Sequence, residues 1–437
     1  MQSKNNIFTV LGLWVVLFTV FGGAYKTPFG NLSTSHISLI WGLTLLSVYL
    51  SQNQLWRVEY LLGITKRYYY YLFIMLLLFI ISAIQFVFFD TGEPLFLDLQ
   101  LKRVMQAAIS FFFFAITADY VISRLSPEKI FFGLFLFLIG VLLFSVCQLT
   151  NESFRMWFLG LTAIDGYWLE WAQKSNRAIG LKAMSIWDTS VSYALLIFVA
   201  FAVFFQGIRR TSVLWLYLFV FLIFILVVIS GRTGLLFLTA FFCLLAANYK
   251  KYSLIITFSI LAVFGVCITI ALTQSELILR VTSFAFELIL NILQGKIETN
   301  STDDLLNNHL FMPHINNFLF GDNFFIGDGD EVESKIGRSS DSAFVINYVA
   351  YGLTGVFFTL LLVMINAKII FGYFNIKAKT CLYYFVFLAC LILSLGLYVK
   401  ILVYVSATLL KAMIFVTICT HHITLNKYNE LRKYNET

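Results

Sequence analysis

Residues 229–237 read ISGRTGLLF, with Arg232 set between Gly231 and Gly234 and long apolar runs on both sides. A guanidinium is costly in lipid, and its planar fork matches the oxygens of a phosphate or pyrophosphate. The two glycines leave room for backbone or ligand to come close. The plainer alternative is an arginine that snorkels to lipid headgroups. A second group is GRSSDSAF, residues 337–344, which places Arg338, Asp341 and Ser342 at the mouth of the next apolar run. Asp341 is expected within the first turn of that helix, where Ser340 or Asp341 would cap free amides. A carboxylate held there also suits a general base for a sugar hydroxyl, next to an arginine-bound anion.

Residues 150–183 carry Arg155, Lys174, Arg177 and Lys182, interleaved with Trp157, Trp168 and Trp171. The tryptophans read either as an interfacial belt or as a platform for sugar rings. The plain reading of each basic residue is a solvated loop charge. Lys411 falls near the middle of the last apolar run, and an intramembrane lysine is a functional candidate. Asp119 is a candidate partner for it, although nearer the opposite face.

Other chemistries find no pattern. GDGDEVE, residues 327–333, lacks EF-hand spacing and reads as solvated turns. The cysteines Cys147, Cys243, Cys267, Cys381, Cys390 and Cys419 form no CxxC pair, and the five histidines show no zinc spacing. No metal or cofactor is expected. P-loop, dinucleotide and nucleophile-elbow motifs are missing.

These residues sit on a scaffold fixed by composition. Of 437 residues, 60% are hydrophobic and only 12% are charged, against about 25% charged in soluble domains. Mean hydropathy is +0.86. Such a chain belongs in a bilayer, as one polytopic domain over residues 1–437. Spans of about 20 apolar residues are expected near 7–24, 34–50, 69–89, 104–122, 129–149, 184–206, 212–230, 233–248, 252–273, 342–366, 380–398 and 401–420. The first of these is read as an uncleaved helix rather than a leader. Basic residues gather in one set of short connections: Arg57, Lys66, Arg67, Arg124, Lys129, Arg209, Arg210, Lys250, Lys251, Lys368, Lys377 and Lys379. That set is expected to be cytoplasmic, with both termini inside. The net charge of +7 then follows orientation and does not suggest nucleic acid. Loops 150–183 and 274–341 fall outside. The second opens on SELILRVTSFAFELILNILQG, whose apolar residues at helical spacing suggest a helix lying in the interface.

Two stretches resemble the Wzy-type O-antigen and capsule polymerases, within the group that includes O-antigen ligases. One is ISGRTGLLFL, similar to an S-x-S-R-T-type segment between adjacent spans. The other is LFGDNFFIGDGDEVESKIGRSSDSAFVINYVAYGLTGVFFTLLL, which resembles G-x-G … D-S-x-[FY] … G-L-x-G. The resemblance implies an all-α integral membrane glycosyltransferase, GT-C-like, with about twelve spans and a large late periplasmic loop, in the bacterial inner membrane. It would join repeat units carried on undecaprenyl pyrophosphate into surface polysaccharide, lipopolysaccharide or capsule, without nucleotide or metal. Its partners would be the lipid-linked donor and acceptor, a chain-length regulator, a flippase and the bilayer. By the same resemblance Arg232 binds pyrophosphate, and Asp341 stands where ligases carry a proton-accepting His. Arg177 matches the arginine of the other loop. Arg338, Lys174 and Trp171 complete the substrate-binding set. Some polymerases carry Gly eleven residues after each loop arginine; here those positions are Asp188 and Val349. The alternatives are an O-antigen ligase, disfavoured by the lack of His in 337–344, and a lipid-linked oligosaccharide flippase. The flippase is disfavoured because the polar residues gather at one face.

Overall fold

The computed structural model describes residues 4–164, 166–174, 179–183, 187–207, 213–253, 305–324, 326, 340–374, 381–398 and 406–436, with isolated positions between 256 and 303. The architecture is that of a helical, membrane-embedded protein. Among the described residues, 8 helices are long and apolar enough to cross a bilayer, and three apolar helices are shorter. The expected span at 252–273 lies mostly outside the described residues, as does the interfacial helix expected after residue 274. The chain divides into two compact units: residues 1–65, 109–286 and 408–437 form the first, and residues 66–108 and 287–407 the second.

The first unit begins with α1 (Lys4–Phe21). A hairpin of β1 (Ala24–Thr27) and β2 (Gly30–Ser33) follows, with Ala24 opposite Ser33 and Thr27 opposite Gly30. Composition gave no hint of this pair. Tyr25 extends it with a bridge to Thr162. α2 (Thr34–Ser51) starts on a capping box: Ser33 Oγ accepts from the His36 amide while His36 Nδ1 accepts from the Ser33 amide. α3 (Leu55–Thr65) closes this part. Further on come α6 (Ala115–Ile122) and α7 (Pro127–Thr150). α7 starts on Ser126, with Pro127 and Glu128 in its first turn, three start signals together. α8 (Glu152–Leu161) begins at Asn151, whose side chain accepts from the Phe154 amide, and α9 (Gly166–Lys174) follows.

α10 (Trp187–Ala202), α11 (Val213–Ser230) and α12 (Arg232–Asn248) pack on one another. α10 is the centre: 89% of its apolar window is buried, against 50% for α11. The last helix of the chain, labelled α15 below, covers Ala407–Glu436.

The second unit holds α4 (Tyr69–Phe89), the start of α5 (Pro94–Ile109), and α13 (Ala343–Phe371), which packs on both α4 and α14 (Cys381–Tyr398). A π-helical turn spans Leu305–His309. α13 is two helices joined at Gly352, whose φ of 62° and ψ of −148° are not helical. The freed backbone groups are taken by another segment. Asp322 and Asn323 amides donate to Val349 and Ala350 carbonyls, and Leu353 and Thr354 amides donate to Phe318 and Leu319 carbonyls. The GDN and G-L-x-G stretches of the family-like pattern thus build a broken helix and its brace.

Candidate functional site

Arg232 is the first residue of α12, directly after Gly231, which is the N-cap at φ 155° and ψ 148°. That φ suits glycine alone, and no side chain of the cap residue takes the first free amides. Gly234 is required for a different reason. A Cβ there would lie 2.7 Å from the backbone of Ser190 on α10, and the Gly234 amide donates to Ser190 Oγ at 3.2 Å. The second glycine therefore lets two helices touch. Arg232 is left half-buried where α12 begins.

Beside this contact the start of α10 is polar and buried. Asp188, Thr189, Ser190 and Ser192 are all at most 6% exposed. Lys182 Nζ lies 3.0 Å from Asp188 Oδ2, and the Thr189 hydroxyl donates to Asp188 Oδ1. Lys182 is thus half-sheltered and paired. The segment around it is strapped down from two sides. Gln148 on α7 both accepts from the Gly180 amide and donates to the Gly180 carbonyl. The Tyr25 hydroxyl donates to the Leu181 carbonyl, and burial holds the Tyr25 phenol above its usual range, so this donor stays protonated at neutral pH. Arg155, read above as a solvated charge, is buried instead and faces Glu152 at 3.4 Å.

Lys411 differs from the sequence reading in two ways. Because α15 begins at Ala407, Lys411 sits in its second turn rather than in mid-span. Its ammonium, 1% exposed, donates to the Thr19 carbonyl in the last turn of α1 and to Ser35 Oγ in the first turn of α2. A cation at a helix C-terminus meets free carbonyls and the negative end of the dipole. Asp119 is not its partner; that carboxylate accepts from His422 at 2.7 Å, about 16 Å further along α15. Sheltered polar groups therefore occur at two levels along α15, Lys411 and His422. Lys411→Met keeps the volume and removes a group costly to desolvate, but it also leaves the Thr19 carbonyl without this donor, so the melting temperature in detergent falls only slightly, and less than for Lys411→Ala. Lys411→Ala leaves the same carbonyl unpaired and adds a cavity, and loses about 2–4 kcal/mol.

In the second unit α13 starts at Ala343, with Ser342 as N-cap making no side-chain cap bond. Asp341 thus lies before the helix and outside its first turn. It is half-exposed, and its amide donates to His309 Nδ1 at 3.2 Å. Ser340 is neither cap nor bystander: its hydroxyl donates to the His309 carbonyl and accepts from the Ser342 amide. His309 is the functional-type residue that the sequence reading missed. Segment 337–344 has no histidine of its own, yet the fold supplies one. With Nδ1 accepting, the neutral ring carries its proton on Nε2.

Arg177 and Arg338 lie outside the described residues. Trp171 and Lys174 fall on α9. Trp157 is exposed and stacks on Phe154 with ring centroids 5.6 Å apart. Residues 327–333 are also outside the described set, and no metal-type cluster occurs among the described residues. No protein-family model matches the chain, and no curated protein does.

Proposed function

We propose that this chain is a bacterial inner-membrane glycosyltransferase of the Wzy type. It would polymerise repeat units carried on undecaprenyl pyrophosphate at the periplasmic face, with about twelve spans, a GT-C-like plan and both termini in the cytoplasm. The observation that carries the reading is Arg232: a guanidinium at the first position of an apolar helix, behind a glycine cap whose residue has no side chain to take the first amides. Fork, amides and helix dipole favour the same ligand, an anion at headgroup depth. In the proposed reaction the acceptor's hydroxyl attacks the donor's anomeric carbon, and the lipid pyrophosphate leaves as charge builds on its oxygens. Arg232 stabilises that charge. Asp341 takes the hydroxyl proton, and His309, its ring fixed by the Asp341 amide, presents an Nε2–H donor to substrate oxygens. Lys174, Arg177, Arg338 and Trp171 remain proposed substrate ligands.

His309 also favours a second reading. A histidine against the 340–342 segment is what a ligase of the same group would use, so the lack of His in 337–344 no longer argues against that activity. Deleting the gene in its host separates the readings. Lipid A core capped with a single repeat unit supports the polymerase; uncapped core overturns it and points to ligase or flippase. Complementing with Asp341→Asn, which keeps shape but not basicity, leaves the same single-unit ladder while the protein accumulates normally in membranes. Long chains formed by that variant remove Asp341 from the role of base.

A further inference from the structure

The segment bracing the break in α13 has a feature that a water-exposed loop does not tolerate. Phe318, Leu319 and Phe320 are consecutive and 57%, 55% and 44% exposed. Its backbone, by contrast, is almost wholly satisfied within the protein. Leu319 and Phe320 amides donate to Asn317 Oδ1, and the Gly321 amide to the Asn317 carbonyl. Asp322 and Asn323 amides reach α13 as described above. On the acceptor side, Leu353 supplies Phe318, the amide and hydroxyl of Thr354 supply Leu319, and Gln85 Nε2 supplies both Phe320 and Gly321. Asn323, fully buried, donates to the Ser82 and Thr91 carbonyls and accepts from the Ser82 hydroxyl. The one carboxylate in residues 311–324, Asp322, is held by the Asn316 and Asn317 amides. Irregular backbone at hydrocarbon depth is tolerated only where the protein itself satisfies its polar groups, and the backbone of this segment meets that condition while its apolar side chains face outward.

α4 gives the depth. It has 21 residues and so measures about 31 Å, the thickness of a bilayer's hydrocarbon. Ser82 is seven residues before its end, about 10 Å inside. α13 agrees in direction: its helical stretch before the break at Gly352 starts at Ala343 and rises about 14 Å. The segment bonded to both positions therefore lies well inside the ends of both helices. Its exposed side chains also continue the exposed apolar faces of the same helices, Val87 and Phe88 on α4 and Leu353 and Phe357 on α13.

We propose that residues 318–323 form a re-entrant wedge sunk about 10 Å into the hydrocarbon at one face of the bilayer, with Phe318, Leu319 and Phe320 directly against lipid acyl chains. This is independent of the enzymatic reading and of which face is periplasmic. The test uses the full chain with its six cysteines replaced, reconstituted in phosphatidylcholine vesicles, and spin-labelled singly at Leu319→Cys. Leu360→Cys on α13 serves as the lipid reference and Asn31→Cys at the hairpin tip as the water reference. Collision with oxygen at 319 is expected to match that at 360, with a water-soluble nickel chelate equally excluded; at 31 the order is reversed. Nickel access at 319 like that at 31 overturns the wedge. Exclusion of both reagents also overturns it, because the segment is then covered by protein. Phe318→Cys repeats the measurement should the first label disturb folding.

Discussion

Replacing Arg232 by alanine is expected to abolish long glycan chains in the cell. It should lower the rate of polymer formation from purified lipid-linked repeat units by about 10²–10³-fold, the scale on which one lost transition-state donor is felt. Lysine should recover only a small part of that loss. It restores the charge, but it presents a point ammonium where two parallel N–H groups engaged the pyrophosphate. The fold should not be the cause. Arg232 is half-buried at a helix start, and the contact of α12 with α10 is made by Gly234 and Ser190, which neither variant touches. The folded protein is therefore expected to accumulate in membranes like the parent, and its melting temperature in detergent to fall far less than its activity. Activity of Arg232→Lys equal to that of the parent would sink the pyrophosphate assignment and leave a headgroup anchor. Equal loss of rate and of thermal stability would instead give Arg232 a structural role.

How much of this was legible beforehand differs residue by residue. Arg232 stood out because a single charge in an apolar run is a strong one-dimensional signal. The meaning of Gly234 was hidden, because its partner Ser190 is 44 positions away and only helix packing brings them together. The same holds for Asp119 and His422, 303 positions apart. Asp119 was visible but was matched to Lys411, and His422, beside His421 just past the span expected at 401–420, gave no sign of its partner. Lys411 was placed too deep because apolar residues before 407 extended the run beyond the helix start. Asp341 was set inside α13 by the habit that Ser or Asp caps an N-terminus. The fold uses Ser340 to reach back to His309 instead, so the helix starts later. The glycines near 321 and 352 were visible as a motif, and a glycine pair in an apolar helix is a known sign of a break. That one would brace the other was not, since the bracing bonds join segments about thirty residues apart.

Those two glycines set the largest structural effect expected in the chain. Gly352 has φ 62° and ψ −148°, a region that side chains avoid at a cost of about 1–3 kcal/mol. A Cβ there would stand 2.5 Å from the Phe318 carbonyl oxygen and 2.6 Å from the Gly321 nitrogen. Both contacts are backbone already fixed by hydrogen bonds, so no rotamer can relieve them. Gly352→Ala should therefore lose more than about 4 kcal/mol, a large share of the 5–15 kcal/mol that holds a typical fold. It should appear as depletion of folded protein from membranes and a sharply lower melting temperature in detergent. Gly140→Ala on α7 is the control: nothing lies within 4 Å of its Cβ, and alanine is the better helix former, so the melting temperature should hold or rise. Gly321→Ala meets the same wall from the other side, with φ 75° and a Cβ 2.5 Å from the Gly352 nitrogen. Because the two residues share one contact, their losses should not add, and the double variant should fall well short of the sum. Full additivity would mean that the two glycines act at separate places and that the broken helix and its brace are not one device.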